Sequence, residues 1–151
     1  IQGVHEALSV TEKGQPVNMT EWLESLVPQV FTAASMSNVS IRIDAGGIRL
    51  PARDALAIGL IVNELATNAA KYAFAGQVAH EFSVELRSDG ADLLLVVENS
   101  GTPITRIPEP GSGHLGLGLV ASLATQLGGT LALETEPRTR FSVRFAGPAP
   151  T

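Results

Sequence analysis

The chain has no cysteine and no long apolar run, and each absence removes a class of protein. Without cysteine there is neither a disulfide framework nor a thiolate zinc site, which suits the reducing cytosol. No apolar stretch approaches the roughly 20 residues of a membrane-spanning helix, and residues 1–10 lack the basic and then apolar pattern of a secretory signal. We therefore expect a soluble, cytoplasmic domain, whether the full-length protein is soluble or membrane-anchored.

A basic surface and an aromatic surface are also missing. The sequence has 10 Lys and Arg against 15 Asp and Glu, a formal net charge of −5. Its aromatic residues are 5 Phe, 1 Trp and 1 Tyr, and they are scattered along the chain. A nucleic-acid binder normally carries a basic stripe or a platform for stacking bases, so we predict that nucleic acid is not a partner. The 44% hydrophobic content of 151 residues is enough for one globular domain.

The hydrophobic pattern predicts a mixed α/β domain. Helices are expected from about Thr20 (as N-cap) to Val30, over 52–74 and over 115–127. Strands are expected at 39–44 and 48–50 as a hairpin, at 81–87 and 92–97 as an antiparallel pair with 92–97 central, and at 130–134 and 140–145. This order favours a two-layer α/β sandwich, that is, a mixed sheet with helices on one face.

The chain divides into one domain and two short flanks. Residues 1–14 are predicted to be the end of a helix that starts before the sequence does, since Ile1, Val4 and Leu8 form a stripe with no cap ahead of it. Residues 15–147 form the domain, and residues 148–151 are expected to be a disordered tail. Residues 100–114 are rich in Pro and Gly and are predicted to be a long functional or mobile loop.

The long predicted helix carries a polar stripe. Glu64, Asn68 and Lys71 are spaced so that a carboxylate, a carboxamide and an ammonium project from the same side. This grouping suits a phosphate with its magnesium ion, because Mg²⁺ prefers oxygen ligands and bridges phosphates. The plainer interpretation is the solvated face of an amphipathic helix with a hydrogen bond between Glu64 and Asn68. On this helix alone, the plainer interpretation is the stronger one.

A second candidate is the glycine-rich segment 111–118, Gly-Ser-Gly-His-Leu-Gly-Leu-Gly. Glycines ahead of a helix let backbone N–H groups approach an anion. No Lys-Ser or Lys-Thr pair follows the glycines, so a Walker-type phosphate loop is excluded. The preceding strand is too far away for a dinucleotide-binding fold. A mobile linker of the same composition remains an alternative.

Four segments, in order, resemble the motifs of bacterial histidine kinases. Residues 61–74, Ile-Val-Asn-Glu-Leu-Ala-Thr-Asn-Ala-Ala-Lys-Tyr-Ala-Phe, are similar to the N box of the HWE subfamily. Residues 97–103, 115–129 and 139–141 are similar to the three later motifs, and residues 4–8 resemble the end of the dimerisation hairpin. The resemblance implies the Bergerat ATP-binding fold of the GHKL superfamily. It also implies the catalytic domain of a two-component sensor kinase, which moves the γ-phosphoryl of Mg-ATP to a histidine on an upstream dimerisation domain and then serves a response regulator receiver domain.

The resemblance implies a role for each matching residue. Asn68 would be the magnesium ligand, and Glu64 would be the catalytic acid that orients or activates groups around the metal. The loop 102–114 would be the ATP lid. The nucleotide-binding positions would be Lys71 and Tyr72 beside the phosphates, the backbone amides of Leu115, Gly116 and Leu117, the adenine motif with Asn99 and Gly101, and Thr139 near the adenine.

The adenine motif departs from the family pattern at two of its three positions. Asn99 stands where the family has Asp, and Pro103 stands where it has Gly. An Asn oxygen still accepts a hydrogen bond from the adenine amino group, but we expect a loss of roughly 1 kcal/mol, about fivefold in affinity. Pro103 fixes φ and lacks an N–H, so the lid is expected to start in an altered direction. Glu98 is the alternative carboxylate, although strand alternation predicts that it faces the other side.

The sequence shows no clear phosphoacceptor. His5 is expected to be a surface histidine of the hairpin helix, and His80 and His114 are too dispersed to argue a metal site. The isolated chain should therefore bind nucleotide without phosphorylating itself. Two other functions stay open: a degenerate relative acting as phosphotransferase or scaffold with weak or no ATP binding, and another GHKL ATPase in which Glu64 activates water.

Overall fold

A computed structural model describes residues 15–74, 80–103 and 117–147. The predicted hairpin remnant 1–14, the predicted tail 148–151 and most of the predicted lid lie outside these residues. The helices are α1 Met19–Ala33, α2 Ala52–Asn68 and α3 Leu117–Gln126, and a π-helical turn, Ala69–Ala73, follows α2. The strands are β1 Val17–Asn18, β2 Val39–Asp44, β3 Arg49–Leu50, β4 His80–Asp89, β5 Asp92–Asn99, β6 Thr130–Glu134 and β7 Thr139–Ala146.

The main sheet has five strands in the order β2-β4-β5-β7-β6. Strands β2 and β4 are parallel, and the other neighbours are antiparallel, so the sheet is mixed and β5 is central, as predicted. The β4–β5 connection is the predicted tight turn, in which Gly90 has a φ of 67°. At the far end of β5, Asn99 lies opposite Phe82 of β4 on one side and opposite Thr139 of β7 on the other.

The predicted hairpin of residues 39–50 is wrong. Strand β2 pairs with β4, whereas β3 pairs with β1 in a separate two-stranded sheet. The turn after β2 is held by the first turn of α1 instead, since the Thr20 hydroxyl accepts from the Ala45 N–H and donates to the Gly46 carbonyl, each at 3.2 Å. These bonds direct the chain away from β2. An alternating pattern reports which face a strand buries, but not which strand it pairs with.

The N-cap predicted for the first helix is also wrong. Asn18 is the cap residue, and its side-chain oxygen accepts from the Glu21 N–H at 3.1 Å. This bond satisfies one of the N–H groups that the first helical turn leaves without a partner. Thr20 lies inside the helix, where its hydroxyl is used by the β2 turn. Asn18 and Thr20 are both good capping residues, so the sequence offered two starting points two residues apart.

The helices cover one face of the sheet, as predicted. Alternation along β4, β5 and β7 buries one set of side chains, among them Phe82, Leu95 and Phe141. Phe31 of α1 packs edge-on against Phe82, with ring centroids 5.3 Å apart. The opposite face carries polar side chains and ion pairs, such as Arg140 with Glu98 at 3.3 Å. Burial on one face and ions on the other make a two-layer sandwich.

Helix α2 packs against both other helices and positions the predicted polar stripe. Its residues Ile58, Val62 and Leu65 are buried, as the helical period predicted. The contact with α1 is very close at Gly59, where a Cβ atom would lie 2.8 Å from the Trp22 ring. The Trp22 indole N–H donates to the Ala55 carbonyl at 2.7 Å, which holds the two helices in this crossing. Among the described residues, no helix is long and apolar enough to cross a lipid bilayer.

The predicted single helix 52–74 changes character at its end. After Asn68 the backbone forms a π-helical turn, in which the Phe74 N–H bonds to the Ala69 carbonyl at 2.9 Å. Hydrogen bonds in this turn join residues five apart, whereas those in an α-helix join residues four apart. The residues after Asn68 are therefore shifted relative to the α-helical stripe. Such turns recur at functional sites.

Candidate functional site

The polar residues of α2 differ in how far they are buried. Asn68, the last residue of α2, is 3% exposed, and Glu64, one turn earlier, is half-buried. The Thr67 hydroxyl donates to the Asn63 carbonyl at 2.8 Å, so the helix itself uses that group. A carboxylate oxygen and an amide oxygen one turn apart fit the oxygen ligands that Mg²⁺ prefers. Glu64 and Asn68 are therefore a suitable pair for a magnesium-bound phosphate.

Lys71 and Tyr72 lie in the π-helical turn and are both exposed, Tyr72 by 49%. The predicted common stripe assumed α-helical spacing from Asn68 to Lys71. The wider turn rotates Lys71 away from the position that such spacing would give. An exposed ammonium on a long stem can still reach a phosphate beside the helix end. The structure thus separates Asn68 and Glu64, which are buried and half-buried on α2, from Lys71, which lies on an exposed rim at the end of the helix.

The second half of the site lies at the end of the central strand. Asn99 and Thr139 are directly opposite each other on β5 and β7, and both are buried, at 4% and 2% exposure. Their side chains share the face that the helices cover. The Asn99 amide Nδ2 donates to the Ser100 carbonyl at 2.8 Å, which leaves Oδ1 as the acceptor atom of this side chain.

Glu98, the alternative acidic residue, faces the other side of the sheet. Its carboxylate Oε1 lies 3.3 Å from Arg140 Nη1 on the outer face. Adjacent strand residues point to opposite faces, so Glu98 and Asn99 cannot serve the same site. The sequence-based preference for Asn99 over Glu98 agrees with this geometry.

Gly101 joins the two halves of the site. Its φ is +94°, and a Cβ atom there would lie 2.1 Å from the Ala73 carbonyl oxygen. The next residue, Thr102, donates its N–H to that same oxygen at 2.9 Å. Only glycine combines a positive φ with so close an approach. The adenine motif of β5 is therefore docked, backbone to backbone, on the π-helical turn that ends the polar stripe.

Part of the predicted site lies outside the described residues. This applies to Leu115, to Gly116 and to the course of the lid beyond Pro103. Leu117 is the first residue of α3, and its side chain is buried at 0% exposure. Its side chain therefore belongs to the core, which leaves its backbone amide as the group that could contact a ligand.

One buried polar residue was missed by sequence reasoning. The buried polar side chains among the described residues are Asn68, His80, Asn99 and Thr139. His80 was considered only as a metal ligand and was set aside because it is far from His114 in the sequence, and the strand was expected to begin one residue later, at Glu81. The signal was nevertheless present, since His80 continues the inward alternation of Phe82 and Val84 by one step. The other three were predicted site residues, so the described part of the fold concentrates its buried polarity in this region.

The chain is similar to proteins of one family. Residues 53–149 match the family described as histidine kinase-, DNA gyrase B-, and HSP90-like ATPase. Over 97 residues the chain is 33% identical to blue-light-activated histidine kinase 2 from Erythrobacter litoralis, a match that covers 62% of this chain and 28% of that protein. The chain thus spans just over a quarter of this relative's length.

Solved structures share the fold at lower identity. The histidine kinase domain of a blue-light-activated histidine kinase from Erythrobacter litoralis superimposes with a TM-score of 0.79 and 20% identity, covering 96% of this chain and 70% of that one. The ATP binding domain of PrrB from Mycobacterium tuberculosis gives a TM-score of 0.66 and 22% identity, covering 91% and 100%. The mixed sheet and its helical layer are therefore an arrangement already known in proteins of this kind.

Proposed function

Since this chain belongs to the histidine kinase-, DNA gyrase B-, and HSP90-like ATPase family, we propose that it is the ATP-binding catalytic domain of a sensor histidine kinase. The observation that carries the proposal is the junction of Gly101 with Ala73, which brings the Asn99 end of β5 against the Asn68 end of α2. One side of the junction offers a hydrogen-bond acceptor for a base. The other side offers oxygen ligands and an ammonium for phosphates.

At the base end, Asn99 Oδ1 accepts a hydrogen bond from the adenine amino group, with Thr139 as its cross-strand neighbour. The Asn99 Nδ2–Ser100 bond fixes the orientation of the amide, so the acceptor oxygen needs no rearrangement before binding. A neutral oxygen binds less strongly than a carboxylate, by roughly 1 kcal/mol. ATP affinity should therefore be modest but specific for adenine.

At the phosphate end, Asn68 would hold Mg²⁺ through its side-chain oxygen, and Glu64 would orient the groups around the metal. Lys71 and the backbone amide of Leu117 would face the phosphates. When bound, Mg²⁺ neutralises the charge that gathers on the phosphate oxygens. Glu64 keeps the metal side of the site oriented, and Lys71 supplies positive charge from the exposed rim. Phosphoryl transfer depends mainly on such positioning and electrostatic stabilisation.

The acceptor in this proposal is a histidine of the protein's own dimerisation domain. The bond between the γ-phosphorus and the bridging oxygen breaks, a new bond forms to an imidazole nitrogen, and ADP leaves. The phosphoryl group then passes to an aspartate of a response regulator receiver domain. The chain described here binds the nucleotide and the metal ion, and the docked dimerisation domain supplies the acceptor histidine.

The proposal is tested first by binding and then by transfer. Isothermal titration of the chain with ADP and Mg²⁺ should give saturable heat, and Asn68→Ala should weaken the binding at least tenfold only when Mg²⁺ is present. Full-length protein should label itself from γ-labelled ATP, and the label should survive alkali but not acid, as a phosphohistidine does. No binding at millimolar ADP by the folded wild-type chain would refute the proposal.

A second candidate is an ATPase that hydrolyses ATP without a histidine acceptor. The half-buried Glu64 beside Asn68 favours this alternative, because a carboxylate next to a metal ligand can act as general base toward water. Steady release of phosphate by the full-length protein, abolished by Glu64→Gln and without a phosphohistidine, would favour hydrolysis over kinase activity.

A further inference from the structure

His80 is buried with an unmade hydrogen bond. The residue is 5% exposed, and its Nδ1 has no hydrogen-bond partner among the described residues. A buried polar atom without a partner is destabilising, and native proteins keep few of them. A phenylalanine would fit the same apolar strand pattern at no such cost. The nitrogen therefore calls for an explanation in terms of function.

The His80 ring packs against aromatic neighbours. His80 stacks on Phe74, with ring centroids 4.5 Å apart and an interplanar angle of 22°. Phe74 in turn packs against Phe31, with centroids 6.0 Å apart, and its N–H bonds to the Ala69 carbonyl of the π-helical turn. The imidazole therefore packs beside the contact between Gly101 and Ala73, because Phe74 is also the side chain nearest to Gly101.

His80 and Asn99 are diagonal neighbours on one face of the sheet. Asn99 lies directly opposite Phe82, and His80 is two residues before Phe82 on the same strand. Side chains in this relation have Cβ atoms roughly 7 Å apart, close enough for both to contact one small group between them. The side chain that carries the unpartnered nitrogen is therefore a neighbour of the proposed base end of the site.

We propose that His80 is a specificity-determining residue of the nucleotide site, whose Nδ1 accepts a hydrogen bond from the adenine 6-amino group, directly or through one water. The inference rests on the proposed function. The amino group has two N–H donors, and Asn99 Oδ1 can accept only one of them well. Neutral imidazole offers one acceptor nitrogen, so His80 can receive the other. A second acceptor offsets the weaker binding that results from having Asn in place of Asp.

The test compares the stability and the base selectivity of His80→Phe. Phenylalanine keeps the aromatic stack and removes the nitrogen, so the ligand-free variant should melt at the same temperature as wild type or higher. Its affinity for Mg-ADP should fall about fivefold, the effect of one neutral hydrogen bond. The affinity for an ADP analogue with hydrogen in place of the 6-amino group should change less than twofold. His80→Asn, which keeps a polar atom at the branch corresponding to Nδ1, should retain most of the ADP affinity.

Leu86→Met is the matched control, because it is a volume-conserving change on the same face of β4, away from the site. It should leave both affinities unchanged. If His80→Phe is too bulky to fold, His80→Leu replaces it in the same comparison. Unchanged ADP affinity, or equal losses for ADP and the analogue, would overturn the role of His80. Failure of the proposed function is distinguishable, since it would appear in wild type as an absence of ADP binding.

Discussion

Replacing Gly101 with Ala tests the junction that joins the two halves of the site. The added methyl group faces the Ala73 carbonyl oxygen at 2.1 Å, on a backbone with φ of +94°. A left-handed conformation costs an alanine roughly 1–2 kcal/mol, and losing the Thr102–Ala73 hydrogen bond costs about 1 kcal/mol more. We therefore expect the docked arrangement to lose about 2–3 kcal/mol.

Gly90→Ala is the matched control. Gly90 also has a positive φ, +67°, but a Cβ atom there meets nothing within 4 Å. This variant carries the conformational strain without the collision, so it should cost about 1–2 kcal/mol and leave the site intact. The difference between the two variants isolates the contact with the π-helical turn.

The measurements are urea unfolding followed by circular dichroism, and titration with Mg-ADP. In Gly101→Ala the turn at residue 101 is expected to detach from the π-helical turn. Nucleotide binding must then restore this contact first, so the affinity for Mg-ADP should fall by about tenfold to a hundredfold. The Gly90→Ala protein should bind like wild type. If Gly101→Ala were no more destabilising than Gly90→Ala and bound ADP equally well, the junction would not organise the site.

Asn99→Asp should raise the affinity for Mg-ADP about fivefold in a titration. Urea unfolding of the ligand-free form should show a loss of about 1–3 kcal/mol, since a carboxylate cannot donate to the Ser100 carbonyl. Unchanged affinity would contradict the role of Asn99 in binding the base. Glu98→Gln removes an ion pair on the outer face and should leave ADP affinity unchanged with at most about 1 kcal/mol lost in stability; weaker binding would make Glu98 the base-reading residue. Gly59→Ala should cost about 1–3 kcal/mol and change the fluorescence of Trp22, the single tryptophan, and wild-type stability would show that the α1–α2 crossing can adjust.

The sequence predicted the architecture better than the pairing. Strands β4 and β5 were found from their alternation and their Asp-Gly turn, which are local signals. The partner of β2 was missed because its parallel pairing with β4 joins residues far apart in the sequence, and no local pattern encodes that choice. The π-helical turn was missed for a related reason, since Ala69, Ala70 and Ala73 suit an α-helix equally well.

The site was predictable where strand or helix periodicity separated the alternatives. The motif register placed Asn99, strand alternation argued against Glu98, and the helical period placed Glu64 beside Asn68. His80 was set aside because the histidines are dispersed along the sequence. The strand was also expected to start one residue late, which is the usual size of a boundary error, so its place on the inner face was not noticed. The role of Gly101 as a docking point could not be read from the sequence, because its partner is a backbone oxygen that every residue type possesses.

That last feature bears on how substitutions in this region should be interpreted. The contact between Gly101 and Ala73 is made by backbone atoms on both sides. A change of side chain at position 73 that keeps the helix therefore leaves the carbonyl in place. Position 101 has no such freedom. Pairwise covariation between the two positions should therefore be absent even though they touch, and saturation mutagenesis should show strict intolerance at 101 that no substitution at 73 can rescue.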